Sequence, residues 1–501
     1  MKLILYVFSL MLVVSTGGMA VIAADPPPNI VFFFVDDMGW QDTSVSFHAR
    51  QTQLNRDYRT PNMEKLAATG MLFTNAYACS ICSPSRISLM TGQNAARHKV
   101  TCWTLRKNTS PSNPPKEFEA CDWNLNGLQP ESDRTPRSVS AGTLPELLRS
   151  RGYRTIHAGK GHFGAQGTPG ADPRNLGFDV NIAGSYMGGP GSYHGDHNFS
   201  AAWRGGSEIW DVPGLEKYHG QKINLTEAIT VEAINEVEKA VASQTPFYLY
   251  MSHYAVHAPF EPDRRFLPNY TDSGWTAHQK KYASMLESMD KSLGDLMATV
   301  QRLKIAENTI LVFMSDNGSP RNNPQNLPLR GHKISAYEGG NRVPLIVHWP
   351  EVTQAGSRNE TPVIVDDIFP TFLEMAGITP PANDGESWVQ ILKENSAPPK
   401  KPRELLWHYP NFYNQPPYSS LRIADWKLIY WHRDQSMELF NLSSDISEKT
   451  NLADKYPERL REMATRLTWQ LKDKEAQFSR FKKSGKSVPY PIDLIVSNKV
   501  K

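Results

Sequence analysis

Asp36-Asp37 and Asp316-Asn317-Gly318 each follow a short apolar run. Lys160 and His162 follow a third run, and His253 and His257 a fourth. Three carboxylates and an amide offer only oxygen to a ligand. That set suits a hard cation, Ca2+ or Mg2+, and does not suit structural zinc, which takes Cys and His. Asp36-Asp37 on its own also suits a helix-capping pair. Carboxylates gathered in one place repel one another unless a cation lies between them, which favours the metal. Any one of these polar residues alone reads as an ordinary loop residue. Four coincidences after four runs point to one edge of one sheet.

The elements that must position these groups are short. Ile30–Val35, Pro246–Met251, Thr309–Met314 and Pro344–Val347 are continuous apolar runs, and Tyr153–Ala158 is a weaker one. Such runs suit strands buried on both faces of a parallel sheet. Helical spacing lies between them, at Thr143–Arg151, Leu225–Ser243, Thr276–Leu303 and Asp366–Ala376. Thr60-Pro61-Asn62 opens a further helix that Gly70 closes, with Pro in the tolerated first turn. The alternation predicts an α/β fold: a large parallel-type mixed sheet flanked by helices. In open sheets of this kind ligands bind beyond the carboxyl ends of the strands, where the polar residues fall. Five Pro between Thr379 and Arg403 mark a linker. Beyond it, Ser420–Trp431 and Met437–Leu442 read as strands and Pro457–Lys474 as a helix, a smaller C-terminal α+β subdomain. The expected division is 1–24 as a leader, 25–380 as the catalytic domain, 381–403 as the linker and 404–501 as the subdomain.

With 501 residues, 40% hydrophobic and 21% charged, the chain has ample material for a core, so wholesale disorder is excluded. Lys+Arg is 54 against Asp+Glu 51, and a net charge of +3 gives no support to bulk binding of nucleic acid. Lys2, the run Leu3–Val14 and Ala23-Ala24 before Asp25 have the form of a cleavable secretory signal. No later run reaches spanning length, so stable membrane insertion is not expected and the destination is periplasmic or extracellular. Cys79, Cys82, Cys102 and Cys121 are too few for a disulfide framework; Cys102 with Cys121 is a reasonable pair.

Cys82 is set apart by its surroundings, Ser80-Ile81-Cys82-Ser83-Pro84-Ser85-Arg86-Ile87-Ser88-Leu89-Met90-Thr91-Gly92. This stretch resembles the signature of the formylglycine-dependent sulfatases of the alkaline phosphatase superfamily, whose core is Cys-x-Pro-Ser-Arg. Gly152–Thr155 running into Ala158–His162 is similar to a second signature. Leu329-Arg330-Gly331-His332-Lys333 with Tyr337-Glu338-Gly339-Gly340 is similar to a third, with His332 where Gly is more usual. The resemblance runs from about Pro28 to about Leu452 and takes in Asp425–Leu428 and Glu448–Leu452.

The resemblance implies a mechanism. Cys82 would be oxidised to Cα-formylglycine by a formylglycine-generating enzyme during export. One hydroxyl of the hydrated aldehyde would attack sulfur, and the other would expel sulfate, an exit that a plain Ser lacks. Asp36, Asp37, Asp316 and Asn317, with residue 82, would hold one Ca2+. Arg86 would brace the hydrate. Lys160, Lys333 and His257 would bind the sulfate oxygens. His257 or Lys333 would protonate the leaving alcohol, and His162 would assist deprotonation at residue 82. His253 reads better as a packing residue. Ser185 is a weaker candidate for the sulfate or the metal shell.

Export together with the resemblance suggests a sulfated carbohydrate, such as a galactose-type residue sulfated at an axial hydroxyl; an aryl or choline sulfate is the smaller alternative. Arg97–Arg137, with Trp103 and Trp123, reads as a recognition loop, and His408–Tyr413 as one wall of the pocket. Two other readings stand beside it. A phosphoesterase of the same superfamily would usually carry Ser or Thr as nucleophile and more His ligands. A silent glycan binder would show a broken metal or lysine set, and here the set is complete.

Overall fold

The computed structural model describes residues 26–320, 326–395 and 402–497. Eight strands form the main sheet: β1 (Asn29–Val35), β2 (Met71–Phe73), β3 (Arg154–Gly159), β4 (Val180–Ile182), β5 (Phe247–Ser252), β6 (Thr309–Ser315), β7 (Leu345–His348) and β8 (Ser357–Asn359). Their spatial order is β8-β2-β7-β6-β1-β5-β3-β4. β1 is central and pairs parallel with both β5 and β6, and β3 continues the parallel set beside β5. β7 runs antiparallel to β6 and to β2. The sheet is mixed and mostly parallel, the architecture the alternating pattern predicts.

The continuous apolar run of β1 divides between two cores. Ile30, Phe32 and Phe34 face one cluster, and Val31, Phe33 and Val35 face the other. Side chains alternate across a strand, so a run without polar residues needs cover on both faces. Helix α1 (Cys82–Thr91) lies on the first face, and α2 (Leu225–Ala242) and α3 (Ala277–Arg302) on the second. Thr276 caps α3 with a reciprocal Gln279 box, at the first residue of the helical spacing read from the sequence. The helix at Pro61–Thr69, closed at Gly70, is also where the sequence puts it.

A second sheet of four antiparallel strands follows: β9 (Glu404–Tyr409), β10 (Tyr418–Ile423), β11 (Trp426–Trp431) and β12 (Met437–Asn441). Helix α4 (Pro457–Asp473) covers it through Met463, Leu467 and Leu471. Two sequence readings change here. Ser420–Trp431 is a hairpin, not one strand, because Ala424 takes φ 49 and turns the chain between β10 and β11. β9 follows directly on the Pro-rich stretch and was not anticipated. Within that stretch Val389–Glu394 is helical and Trp388 packs in the main core. The expected leader, residues 1–24, lies outside the described residues. Among the described residues no helix is long and apolar enough to cross a membrane.

The Cys102–Cys121 pair is also corrected: all four cysteines are free, buried thiols. Cys102 Sγ lies 3.8 Å from the Tyr409 hydroxyl, and Cys121 Sγ lies 3.7 Å from the Pro410 carbonyl. Each thiol has its own polar neighbour at the end of β9, Tyr409 for Cys102 and the following Pro410 for Cys121.

Candidate active site

Val35 and Ser315 are register partners at the ends of β1 and β6, so the residues that follow them emerge side by side. Asp37 turns back through φ 61, a left-handed conformation that Asp tolerates better than most residues. Its N–H donates to Asp316 Oδ1 at 3.1 Å, and Asn317 Nδ2 donates to Asp37 Oδ1 at 2.8 Å. β3 ends at Gly159, with φ 107, where a Cβ would come within 1.9 Å of the Ser252 carbonyl. Only glycine permits that approach, and it lets β3 deliver Lys160 beside β5. Lys160 Nζ then lies 2.7 Å from Asp36 Oδ2.

Helix α1 begins at Cys82 and is locked to β6 within its first turn. Ser85 Oγ donates to the Asp316 carbonyl at 2.5 Å. Arg86 donates through Nε (3.1 Å) and Nη2 (2.7 Å) to Asp316 Oδ2, and through Nη1 to Ser252 Oγ at 2.6 Å. Lys333 Nζ reaches Asp37 Oδ1 at 2.6 Å, and His257 Nε2 lies 3.7 Å from Asp37 Oδ2. Every one of the sequence-predicted site residues, Asp36, Asp37, Cys82, Arg86, Lys160, His162, His257, Asp316, Asn317 and Lys333, belongs to this cluster or its edge.

Burial raises the Asp36 carboxyl well above the usual carboxylate range, with Lys160 opposing it. Asp37 is equally buried, yet Lys333 and His257 hold it well below that range. Burial and then Asp316 bear on Arg86, and the pair keeps the guanidinium charged. Burial raises the Cys82 thiol against the pull of Lys160 and Lys333. Burial drops His257 to about 3 and His162 well below its usual value, Lys160 adding to the latter.

The donor set fits a hard cation. Asp36 Oδ1 and Asn317 Oδ1 are buried acceptors with no hydrogen-bond partner. Asp36, Asp37, Cys82 and His257 place one ligand atom each within 4.8 Å of one another. Asp316 accepts from the Asp37 N–H at Oδ1 and from Arg86 at Oδ2, and its oxygens keep further lone pairs that a cation could take.

The two histidines are oriented by backbone carbonyls. His162, at φ 59, sits with Nε2 2.8 Å from the Thr104 carbonyl; that nitrogen is then the N–H, and Nδ1 is left without a partner. His257 Nδ1 lies 2.7 Å from the Ala258 carbonyl, which turns Nε2 toward Asp37.

Cys82, His162, His257 and Lys333 share a cleft of ≈ 310 Å³ with Trp103, Trp210 and Tyr413 on its walls. That volume is at the small end for a ligand site. Trp103, from the expected recognition loop, and Tyr413, from the expected wall, both line the cleft. Trp123 does not reach the cleft: it is 2% exposed in the core and donates to Ser110 Oγ. His253 is a packing residue, bonded to Ser292 Oγ and set against the Phe33 ring. Ser185 accepts from the Met187 N–H and is not among the cleft residues. His332 fits without glycine because the positive φ values fall on its neighbours, Gly331 and Ile334. Trp210, Gly188 and Thr104 were missed. Trp210 ends a short 3-10 turn, Glu208–Trp210, in a segment without a motif, and Thr104 acts through its backbone, which residue type does not report.

The description Sulfatase fits residues 28–378, more than half of the chain. The chain belongs to the sulfatase family. It is a sulfuric ester hydrolase. A second description, N-sulphoglucosamine sulphohydrolase, C-terminal, fits residues 332–477 of this sulfatase. The N-acetylgalactosamine-6-sulfatase of Canis lupus familiaris is 28% identical over 461 residues, covering 89% of this sulfatase and 79% of that protein. A sulfatase of Formosa agariphila is 26% identical, covering 91% of each chain. The crystal structure of Ps i-CgsB superposes with a TM-score of 0.72 at 28% identity, covering 90% of this sulfatase and 94% of that chain. The same protein has been solved in complex with k-i-k-neocarrahexaose.

Proposed function

We propose that this sulfatase is an exported enzyme that removes sulfate esters from a glycan. It does so with Cys82 converted to formylglycine and one Ca2+ held by Asp36, Asp37, Asp316, Asn317 and residue 82. One observation carries the reading: the Cys82 side chain opens α1 on the floor of an aromatic-walled cleft, and its sulfur stands within 4.8 Å of the Asp36 and Asp37 carboxylates. Ca2+ would supply positive charge that favours the ionised nucleophile and offsets the charge of the ester. Formylglycine would supply a hydrated aldehyde, a nucleophile with its own way of releasing the product.

The chain's residues do the rest. Lys160 and Lys333 grip the sulfate oxygens, and their partial desolvation strengthens that grip. With Nε2 committed to the Thr104 carbonyl, His162 Nδ1 is the nitrogen that would accept a proton from a hydroxyl at position 82. His257 and Lys333 both face the cleft. His257 is neutral with its proton on Nδ1 at the Ala258 carbonyl, so the proton for the leaving oxygen comes from the Lys333 ammonium. Arg86 fixes Asp316 and thereby the register of α1 against β6. Water's oxygen ends on sulfate, and the sugar hydroxyl leaves with a proton.

Several relatives are named N-acetylgalactosamine-6-sulfatase, which supports a galactose-configured sugar and favours sulfate at its 6-position over an axial hydroxyl. Trp103, Trp210 and Tyr413 offer the flat apolar surfaces that stack on sugar rings. In this reading residues 1–24 are the leader, 25–380 the catalytic domain, 381–403 the connection and 404–501 the C-terminal subdomain. A formylglycine-generating enzyme is the maturation partner.

The test is the mass of the tryptic peptide Leu66–Arg86 from protein made in its native host. An aldehyde in place of the Cys82 thiol is the expected result. An unmodified thiol in fully active protein overturns the mechanism.

A further inference from the structure

Lys333 sits in an irregular loop. Gly331 takes φ 81 and Ile334 takes φ 77. A β-branched residue at positive φ is sterically disfavoured and keeps that shape only where its surroundings dictate it. One such constraint comes from the nucleophile segment: the Ile334 N–H donates to the Ser80 carbonyl at 2.6 Å. Another comes from the second sheet. Tyr418, fully buried on β10, donates its hydroxyl to Ser80 Oγ at 2.8 Å, and that hydroxyl lies 3.3 Å from the Ser335 carbonyl. One phenol therefore spans the residue two before Cys82 and the residue two after Lys333. Its neighbour on β9, Trp407, donates Nε1 to the Ala78 carbonyl at 2.8 Å. The Tyr418 ring is held in turn by Tyr409 and Trp431, at centroid distances of 5.6 and 5.8 Å.

We propose that Tyr418 is a positioning residue for the sulfatase reaction, setting the Lys333 ammonium relative to residue 82. The C-terminal sheet then acts as the template on which two separate segments of the catalytic body are brought into register. The proposal rests on the assignment of Lys333 to the sulfate oxygens.

Tyr418→Phe removes the hydroxyl and keeps the ring. Its kcat/KM toward a sulfate ester should fall about tenfold, and the inhibition constant for inorganic sulfate should rise by a similar factor. The melting temperature should move by no more than a few degrees, as for a single neutral hydrogen bond. In a Lys333→Ala background the same change should add less than about twofold, because the residue through which it acts is gone. Ser80→Ala, which removes the other end of the bond, should reproduce part of the effect. Wild-type kinetics in Tyr418→Phe, or a full additional loss in the double variant, overturns the role of Tyr418 while leaving Lys333 assigned. An unimpaired Lys333→Ala overturns the assignment beneath it and the proposal with it.

Discussion

Two buried ionic clusters are built from the same ingredients and finished differently. The first joins Asp36, Asp37 and Asp316 to Arg86, Lys160 and Lys333 at the ends of the central strands. The second lies where the two sheets meet and joins Glu338 and Glu448 to Lys427, Arg342 and Arg422. At the seam every carboxylate oxygen has a close partner. Lys427 Nζ is 3.0 Å from Glu338 Oε1 and 2.9 Å from Glu448 Oε1, Tyr77 donates to Glu338 Oε2 at 2.7 Å, and the Glu338 N–H donates to Glu448 Oε2 at 2.7 Å. Burial works against the charge on Glu338, yet Lys427 and the two arginines bring its carboxyl down to about 2. Burial pushes a carboxyl up in both clusters, Asp36 at the strand ends and Glu448, to about 7, at the seam. The difference is that Glu448 Oε1 has the Lys427 ammonium at 2.9 Å, whereas Asp36 Oδ1 meets Arg86 Nη2 only at 3.8 Å and Asn317 Oδ1 accepts no hydrogen bond. A completed cluster fastens structure, whereas an incomplete one presents groups to a ligand.

The largest effect that tests this contrast is on turnover. Cys82→Ala should lower kcat by at least about 10⁴-fold while the melting temperature stays near wild type, since the side chain adds chemistry more than packing. Substantial residual turnover would remove the catalytic half of the comparison. Glu338→Gln should do the reverse. It leaves Lys427 and Arg342 buried with a neutral partner, and a broken buried pair costs about 3–5 kcal/mol, readable in urea unfolding. An equal loss of stability in Asp36→Asn would erase the distinction between the clusters. Ca2+ should sharpen it. Added to chelator-treated protein at about a hundred times its dissociation constant, it should stabilise the fold by about 2.7 kcal/mol, measured as a shift in melting temperature. The shift should vanish in Asp37→Ala and persist in Lys427→Met. The smallest effect concerns Asp366, which receives a bond from Asn94 near the same seam. Burial and its neighbour Asp367 push its carboxyl up to about 7. The folded state then holds a proton that the unfolded chain releases near pH 4, so this group makes stability fall as pH rises from about 4 to 7. Asp366→Asn should flatten that slope and gain roughly 1–2 kcal/mol at pH 8, checked by unfolding at both ends of the range.

Much of the site was legible because strand-end chemistry is local. Asp36-Asp37 and Asp316-Asn317 directly follow apolar runs, and a parallel sheet leaves its carboxyl ends together. Cys82 and Arg86 were legible from their likeness to the family signature, and the structure puts both in the first turns of one helix. Trp210 and Thr104 were not, since one depends on where an irregular loop folds and the other on a carbonyl. The Ser420–Trp431 hairpin was hidden because Ala424-Asp425 lacks the glycine that usually announces so tight a turn. The Cys102–Cys121 pairing followed from counting, and counting carries no geometry.

By itself the sequence determined the central strands and the oxygen-rich donor set at their ends, and its likeness to the family signatures picked out Cys82 and the basic residues. The first two follow from hydrophobic period and residue type, which act over a few residues. Tertiary structure alone decided which acceptors stay unpartnered, which nitrogen of each histidine faces the cleft, and how Tyr418 spans two segments more than 250 positions apart in its own cluster. Those outcomes depend on distances between residues remote in the chain, and distance between remote residues is fixed only when both cores have packed.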